Sequence, residues 1–351
     1  MRTMKEILIG NRSMGLDRDI FISAEVGTTC NGDVETSKRL IDAALEAGLD
    51  AVKFQVLDPE DKFSDKTIPY TYRRFNGEEV TENMVEMLRQ YVMTPEEWRE
   101  VKRYADEKGV LMFATPDHVK AIELMEDLQM PAYKVATWDV TFVPMLREIA
   151  KLRKPTILDF GASNLNEITK VLEIFQKEGN DQLILVHCYH TSNPAEMNLR
   201  TIEFFREHFG YLSGFSASDE NNEVDYLALA YQPVYLEKRM TLNRADPGHH
   251  HSRALEPKEM ASYVKTVREL ASARGEHAVK PSQKDLEEKQ KHFRRIVASK
   301  DMRAGEILIE DAIACRRPFQ GGIDALQYPS VIGRKLKKDI KENEPITWDI
   351  I

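Results

Sequence analysis

Cysteine is scarce in this chain, with only Cys30, Cys188 and Cys315, far apart and odd in number. That pattern excludes a disulfide framework and zinc-finger spacing, and it suits a reducing compartment. No stretch of about 18 consecutive apolar residues occurs, so no membrane-spanning helix and no membrane partner are expected. The opening residues, MRTMKEILIGNRSMG, lack the positive-then-apolar order and small-residue cleavage site of a secretory signal, and a cytoplasmic location is the expectation. An excess of positive charge is missing as well. A formal net charge of −9 speaks against a nucleic-acid partner, yet it is compatible with a local basic pocket for an anionic substrate. Internal repeats and low-complexity tracts are also absent.

What is present is a globular composition, 42% apolar and 30% charged, over 351 residues. That length fits a (β/α)8 barrel of roughly 250 residues with a small module added. From Phe21 to about Ala273, short β-branched or apolar runs alternate with longer amphipathic stretches, the pattern of parallel strands joined by crossover helices. Eight such runs are read as strands, starting at Phe21, Ala51, Val110, Ala132, Pro155, Leu183, Tyr211 and Val234. The first helix, DVETSKRLIDAALEAGLD, sets Leu40, Ile41, Ala44 and Leu45 on one face and ends near Gly48. Between Val56 and Met93 lies a polar, aromatic-dotted insertion without clear period, read as a loop bordering the substrate. The charged, proline-containing stretch AVKPSQKDLEEKQKHFRR reads as a linker with a boundary near Lys291. The expected division is a barrel over 1–275, a linker over 276–292 and a small β-rich domain over 293–351.

In a parallel barrel the C-terminal strand ends converge on one mouth, so those positions are read first for chemistry. Glu25, Lys53, Gln55, Thr115, Lys134, Thr137 and Asp139 fall at the ends of the first four strands. Asp159, His187, His190, Ser216, Ser218, Asp219, Glu237, Lys238 and Arg239 fall at the ends of the last four. Lys53, Lys134 and Arg239, flanked by Thr115, Thr137 and Ser216, suit a phosphate and a carboxylate held by charge-assisted hydrogen bonds, and phosphoenolpyruvate carries both groups. An isolated strand-end lysine is an ordinary surface residue; the convergence is what favours an anion site. Arg73 and Arg74 in the insertion either reach an acidic substrate or face solvent. His187 and Cys188 read as no nucleophile pair, and the Arg334–Lys338 cluster reads as solvated surface.

The segments AEVGTTCNG, AVKFQ, FATPDH, YKVATWD, KPTILDFGASNLNEI, VHC, NLRTI, GFS, LEK and DPG occur in the order that resembles the sialic acid (nonulosonate) synthase family. The tail IVASKDMRAGEIL, CRRPFQGGI and IGRKLKKDIKENEPI is similar to that family's C-terminal antifreeze-like (SAF) domain, a β-clip fold. The resemblance implies a transferase in which phosphoenolpyruvate and an N-acetylmannosamine-like amino sugar condense to a nonulosonic acid and phosphate. By position it implies phosphoenolpyruvate contacts at Lys53, Thr115, Lys134, Thr137 and Ser216, and sugar contacts at Gln55 and Asp139. Glu25 is a more general catalytic candidate, and loops around Asn76, His190 and His250 are expected to shape acceptor choice. Arg317 resembles an arginine that reaches over a partner subunit's barrel, implying a domain-exchanged homodimer.

The chain departs from this pattern at the metal. The family's two histidine ligands for a divalent cation, manganese or magnesium, are replaced by Ser218 and Arg239. Asp159 stands in place of a phosphate-binding serine, and His250 in place of a sugar-binding aspartate. Three readings follow: Arg239 takes over the electrophilic role, or His249, His250 and His251 with Asp219 form a relocated metal site, or the reaction differs. Outside the synthase class, the alternatives are a non-catalytic sugar- or partner-binding barrel and an aldolase or lyase using Lys53 or Lys134 as a Schiff-base amine.

Overall fold

The computed structural model describes residues 6–217, 222–317 and 320–351. Eight strands close into a parallel barrel, as expected from the alternating runs. They are β1 (Phe21–Glu25), β2 (Ala51–Val56), β3 (Leu111–Pro116), β4 (Tyr133–Val135), β5 (Thr156–Asp159), β6 (Leu183–Tyr189), β7 (Leu212–Ala217) and β8 (Tyr235–Arg239). The ring closes where β8 pairs with β1, with Glu237 opposite Ser23 and Arg239 opposite Glu25. Because strand side chains alternate, one parity of each strand fills the interior and the other faces the helices.

The lower interior layer is apolar. Phe21, Ala51, Phe113, Ile157, Ile184, Leu212 and Tyr235 pack in one cluster with Ile7, Ile9 and Met14 of an N-terminal hairpin. That hairpin, Ile7–Ile9 against Arg12–Met14, was not foreseen. Burying each of its three apolar side chains contributes on the order of 1.5–3 kcal/mol. One step up each strand the filling turns polar, with Ser23, Lys53, Lys134, Asp159 and Glu237 all buried. Gly214 makes the transition possible. A Cβ there would lie 3.0 Å from both Val186 and Tyr235, so its absence lets the Tyr235 ring occupy the barrel interior.

The helix Val34–Glu46 begins where the Asp33 side chain accepts from Thr36 N. It buries Leu40, Ile41 and Ala44 as expected, whereas Leu45 is exposed. The Val56–Met93 insertion is structured, which corrects the loop reading. It holds an antiparallel hairpin, Pro69–Arg73 with Glu79–Asn83, and a helix, Met84–Arg89, around a small core of Leu57, Tyr72, Met87, Leu88 and Tyr91.

A second unit spans Glu276–Ile351. Its helix Gln283–His292 lies within the stretch read as linker and buries none of its residues. Strands Arg295–Ala298 and Ile313–Arg316 pair antiparallel, and Ile296, Leu308, Ile323, Leu336, Ile340 and Ile346 are among the residues of a separate core. Among the described residues, no helix is long and apolar enough to cross a membrane.

Candidate active site

A cavity of about 570 Å³ opens at the C-terminal ends of the barrel strands. The expected anion contacts Lys53, Thr115, Lys134, Thr137 and Ser216 all line it, as do the catalytic candidates Glu25 and Arg239. Of the expected acceptor contacts, Gln55, Asp139 and His250 line it too. Asn76 does not. It is exposed in the turn of the insertion hairpin, where its side-chain oxygen accepts from Glu78 N at 3.0 Å, a local turn role. Arg317 belongs to the second unit, exposed just after the strand Ile313–Arg316. Ser218 and Asp219 lie outside the described residues.

Lys53 and Lys134 are not free cations. Lys134, 1% exposed, is clamped by Asp159 at 2.7 Å and Glu237 at 2.8 Å. Glu237 also reaches Lys53 at 3.1 Å, and Lys53 contacts Glu25. Burial alone would lower the Lys134 ammonium, but the two carboxylates outweigh it and raise it above the usual lysine range. Burial pushes Lys53 down to about 8, with the Glu237 charge opposing. Against its own burial, Glu237 is held well below the usual carboxylate range by Lys134 and Lys53. For Asp159, burial prevails over the Lys134 charge and raises the carboxyl.

Further groups fix this cluster in place. The Tyr235 hydroxyl donates to Glu237 at 2.7 Å and shares a 2.7 Å hydrogen bond with Ser23. Glu25 accepts from Gly27 N at 2.8 Å and from the Gln55 amide at 3.0 Å. Gly27 is required by that packing, since a Cβ would sit 2.4 Å from Gln55 Cγ and 2.7 Å from Glu25 Oε1. Cys188 also lines the cavity, its thiol pushed up to about 12 by burial, which leaves it protonated and no nucleophile.

The upper walls come largely from residues that strand-end reading passed over. Tyr70 and Tyr72 of the insertion hairpin meet the His249 ring at 5.3 and 6.4 Å between centroids. Trp138, 67% exposed, lies 4.7 Å from the His190 ring at the mouth. Lys62 approaches Asp139 at 3.4 Å, and buried Asp117 accepts from Asp58 N at 3.0 Å, tying the insertion to the end of β3. Arg73 lines the cavity, whereas Arg74 pairs with Glu78 at 3.1 Å. An Asn-Gly turn between alternating residues, TYRRFNGEEV, was the available signal for the hairpin. Nothing in the sequence singled out Trp138 or Lys62.

Of the three consecutive histidines, His249 and His250 line the cavity with ring centroids 3.7 Å apart, and His251 turns away. His250 Nδ1 is 2.7 Å from Thr28 Oγ1, while His251 turns to Thr241 and Asn31 at 2.7 and 3.0 Å. Burial and the Arg239 charge lower His249 to about 3 and His250 well below its ordinary value, so both present neutral rings. Arg239 lines the cavity where the resemblance places a histidine ligand. A guanidinium has no lone pair to offer a cation, so this residue does not fit a metal ion. It can instead donate hydrogen bonds to a developing oxyanion.

Residues 40–279 match the NeuB family, and residues 293–351 match the SAF domain. The chain is 31% identical to an uncharacterized protein of Methanocaldococcus jannaschii, over 99% of this chain and 98% of that one. It is 29% identical to N,N'-diacetyllegionaminic acid synthase of Campylobacter jejuni, over 93% of this chain and 98% of the other. The crystal structure of N-acetylneuraminic acid (sialic acid) synthetase from Leptospira borgpetersenii superposes with a TM-score of 0.73 at 26% identity, covering 82% of this chain and 96% of that chain.

Proposed function

Because this chain belongs to the NeuB family and ends in an SAF domain, we propose that it condenses phosphoenolpyruvate with an N-acetylmannosamine-like amino sugar to give a nonulosonic acid and phosphate. The observation that carries this reading is the convergence of Lys53, Lys134, Thr115, Thr137, Ser216 and Arg239 on one cavity. Its volume of about 570 Å³ suits two small polar substrates together.

In this reading C3 of phosphoenolpyruvate attacks the aldehyde carbon of the open-chain sugar. A carbon–carbon bond forms, and the aldehyde oxygen takes up negative charge and then a proton. Arg239 donates to that oxygen, supplying the electrophilic role from a side chain that stays charged at neutral pH. Water adds at C2, the C2–O bond to phosphate breaks, and the 2-keto acid remains. Lys53 and Lys134 with the Thr115 hydroxyl hold the phosphate and carboxylate, and Glu25, fixed by Gly27 and Gln55, is placed to accept the proton of the attacking water. Gln55, Asp139 and His250 face the acceptor. Arg317 serves a partner subunit's cavity in a homodimer, and sedimentation velocity should give twice the 40.4 kDa chain mass.

The test is phosphate release from phosphoenolpyruvate across a panel of N-acylated hexosamines, with and without manganese. Release that depends on one acceptor is expected, and silence across the panel in both conditions overturns the synthase reading. A second reading is favoured by Lys53, a buried amine lowered to about 8, which suits a Schiff-base nucleophile. Borohydride trapping of a keto-acid adduct on Lys53 would favour that aldolase-type chemistry over condensation.

A further inference from the structure

The buried cluster at the cavity floor holds three carboxylates, Glu25, Asp159 and Glu237, against two ammonium groups, Lys53 and Lys134. Fully ionised, these five groups carry one net negative charge before any substrate enters, with the Arg239 guanidinium on the same cavity acting on Glu237. A substrate anion that settles on Lys134 therefore meets carboxylates already on that lysine. Like charges sharing one buried site force a proton onto one of them.

The geometry singles out which one. Glu237 has Lys53, Lys134 and the Tyr235 hydroxyl as donors. Glu25 has Lys53, Gly27 N and the Gln55 amide. Asp159 has Lys134 on one oxygen, while its Oδ1 is buried with no hydrogen-bond partner. The residue lines the same cavity as the buried, unpartnered hydroxyl of Thr115. Glu25 Oε2 likewise lacks a hydrogen-bond partner but has Lys53 against it, which leaves Asp159 the least supported carboxylate, with an oxygen to spare for a proton.

Resting on the synthase reading above, we propose that Asp159 binds the substrate anion as a carboxylic acid. Each phosphoenolpyruvate bound takes one proton from solvent onto Asp159, whose O–H then donates to an anion oxygen. The groups that face Asp159 are consistent with this. Lys134 on β4 and Lys53 on β2 favour its ionised form, Glu237 on β8 opposes it, and Cys188 on β6 and Tyr235 on β8 are both neutral. Burial, the largest influence, sides with the protonated form. A serine at this position would offer the same hydroxyl donor without titrating.

Calorimetric titration of the full chain with phosphoenolpyruvate at pH 7.5, in two buffers of different ionisation enthalpy, counts the protons directly. At that pH the phosphate is past its second ionisation near about 6, so it needs no proton of its own. Uptake of about one proton per ligand is expected, with Kd weakening about ten-fold per pH unit above neutrality. Asp159→Ser and Asp159→Asn should bind with no such uptake and a flat pH dependence. Binding to the unaltered chain without proton uptake, or the same uptake in Asp159→Ser, overturns the role of Asp159 and leaves the synthase reading intact. Failure of phosphoenolpyruvate to bind either protein removes both.

Discussion

Replacing Lys134 by methionine should destabilise the barrel far more than replacing Asp159 by asparagine, although the two residues form one ion pair. Lys134 is 1% exposed and is shared by Asp159 at 2.7 Å and Glu237 at 2.8 Å. Its removal leaves three buried carboxylates against Lys53 alone. Breaking a buried ion pair from one side costs about 3–5 kcal/mol, a loss of roughly 150- to 5,000-fold in the folded-to-unfolded ratio. Asp159→Asn instead leaves two carboxylates with two lysines, and about 1 kcal/mol is expected. The first loss should also depend on pH. Without Lys134, Asp159 is raised further above its unfolded value, so the folded state binds the extra proton. That stability is present below the unfolded carboxyl value and is lost as pH rises toward the folded one, at up to about 1.4 kcal/mol per pH unit. Urea unfolding followed by circular dichroism at pH 5 and pH 8 measures both quantities. Equal losses for the two variants, or a Lys134→Met loss that does not grow from pH 5 to pH 8, would refute the assigned charge balance.

Three other variants probe the supports of the site. Gly27→Ala forces a Cβ against Gln55 and Glu25 and should cost about 1–3 kcal/mol while weakening phosphoenolpyruvate binding, measured by denaturation and calorimetry. Tyr235→Phe removes the hydroxyl that serves Glu237 and Ser23 and should cost about 1–3 kcal/mol in the same unfolding assay. Trp138→Ala, at an exposed ring beside His190, should leave stability within about 0.5 kcal/mol and raise the acceptor's KM with that of phosphoenolpyruvate unchanged.

The eight strands were legible because a strand buried on both faces reads as a short continuous apolar run, and its polar end marks the mouth of the barrel. The N-terminal hairpin was not, because strands as short as Ile7–Ile9 and Arg12–Met14 carry too few residues to show alternation. Leu45 illustrates a different limit: helical spacing puts it near the apolar face, but the packing leaves it exposed. In the site, residue types at strand ends named the polar floor of the cavity but not its upper walls. They did not reveal that each lysine already has carboxylate partners, because the pairs join residues distant in sequence, such as Lys134 and Glu237, through barrel closure. Asn76 lies off the cavity for the opposite reason, its side chain being committed to its own turn.

The most direct test of the condensation uses phosphoenolpyruvate labelled with oxygen-18 in the bridge between C2 and phosphorus, incubated with the chain and its acceptor sugar. If carbon–carbon bond formation precedes cleavage of the C2–O bond, the label leaves in inorganic phosphate, and only when acceptor is present. Label retained in the keto acid, or phosphate released without acceptor, would contradict it.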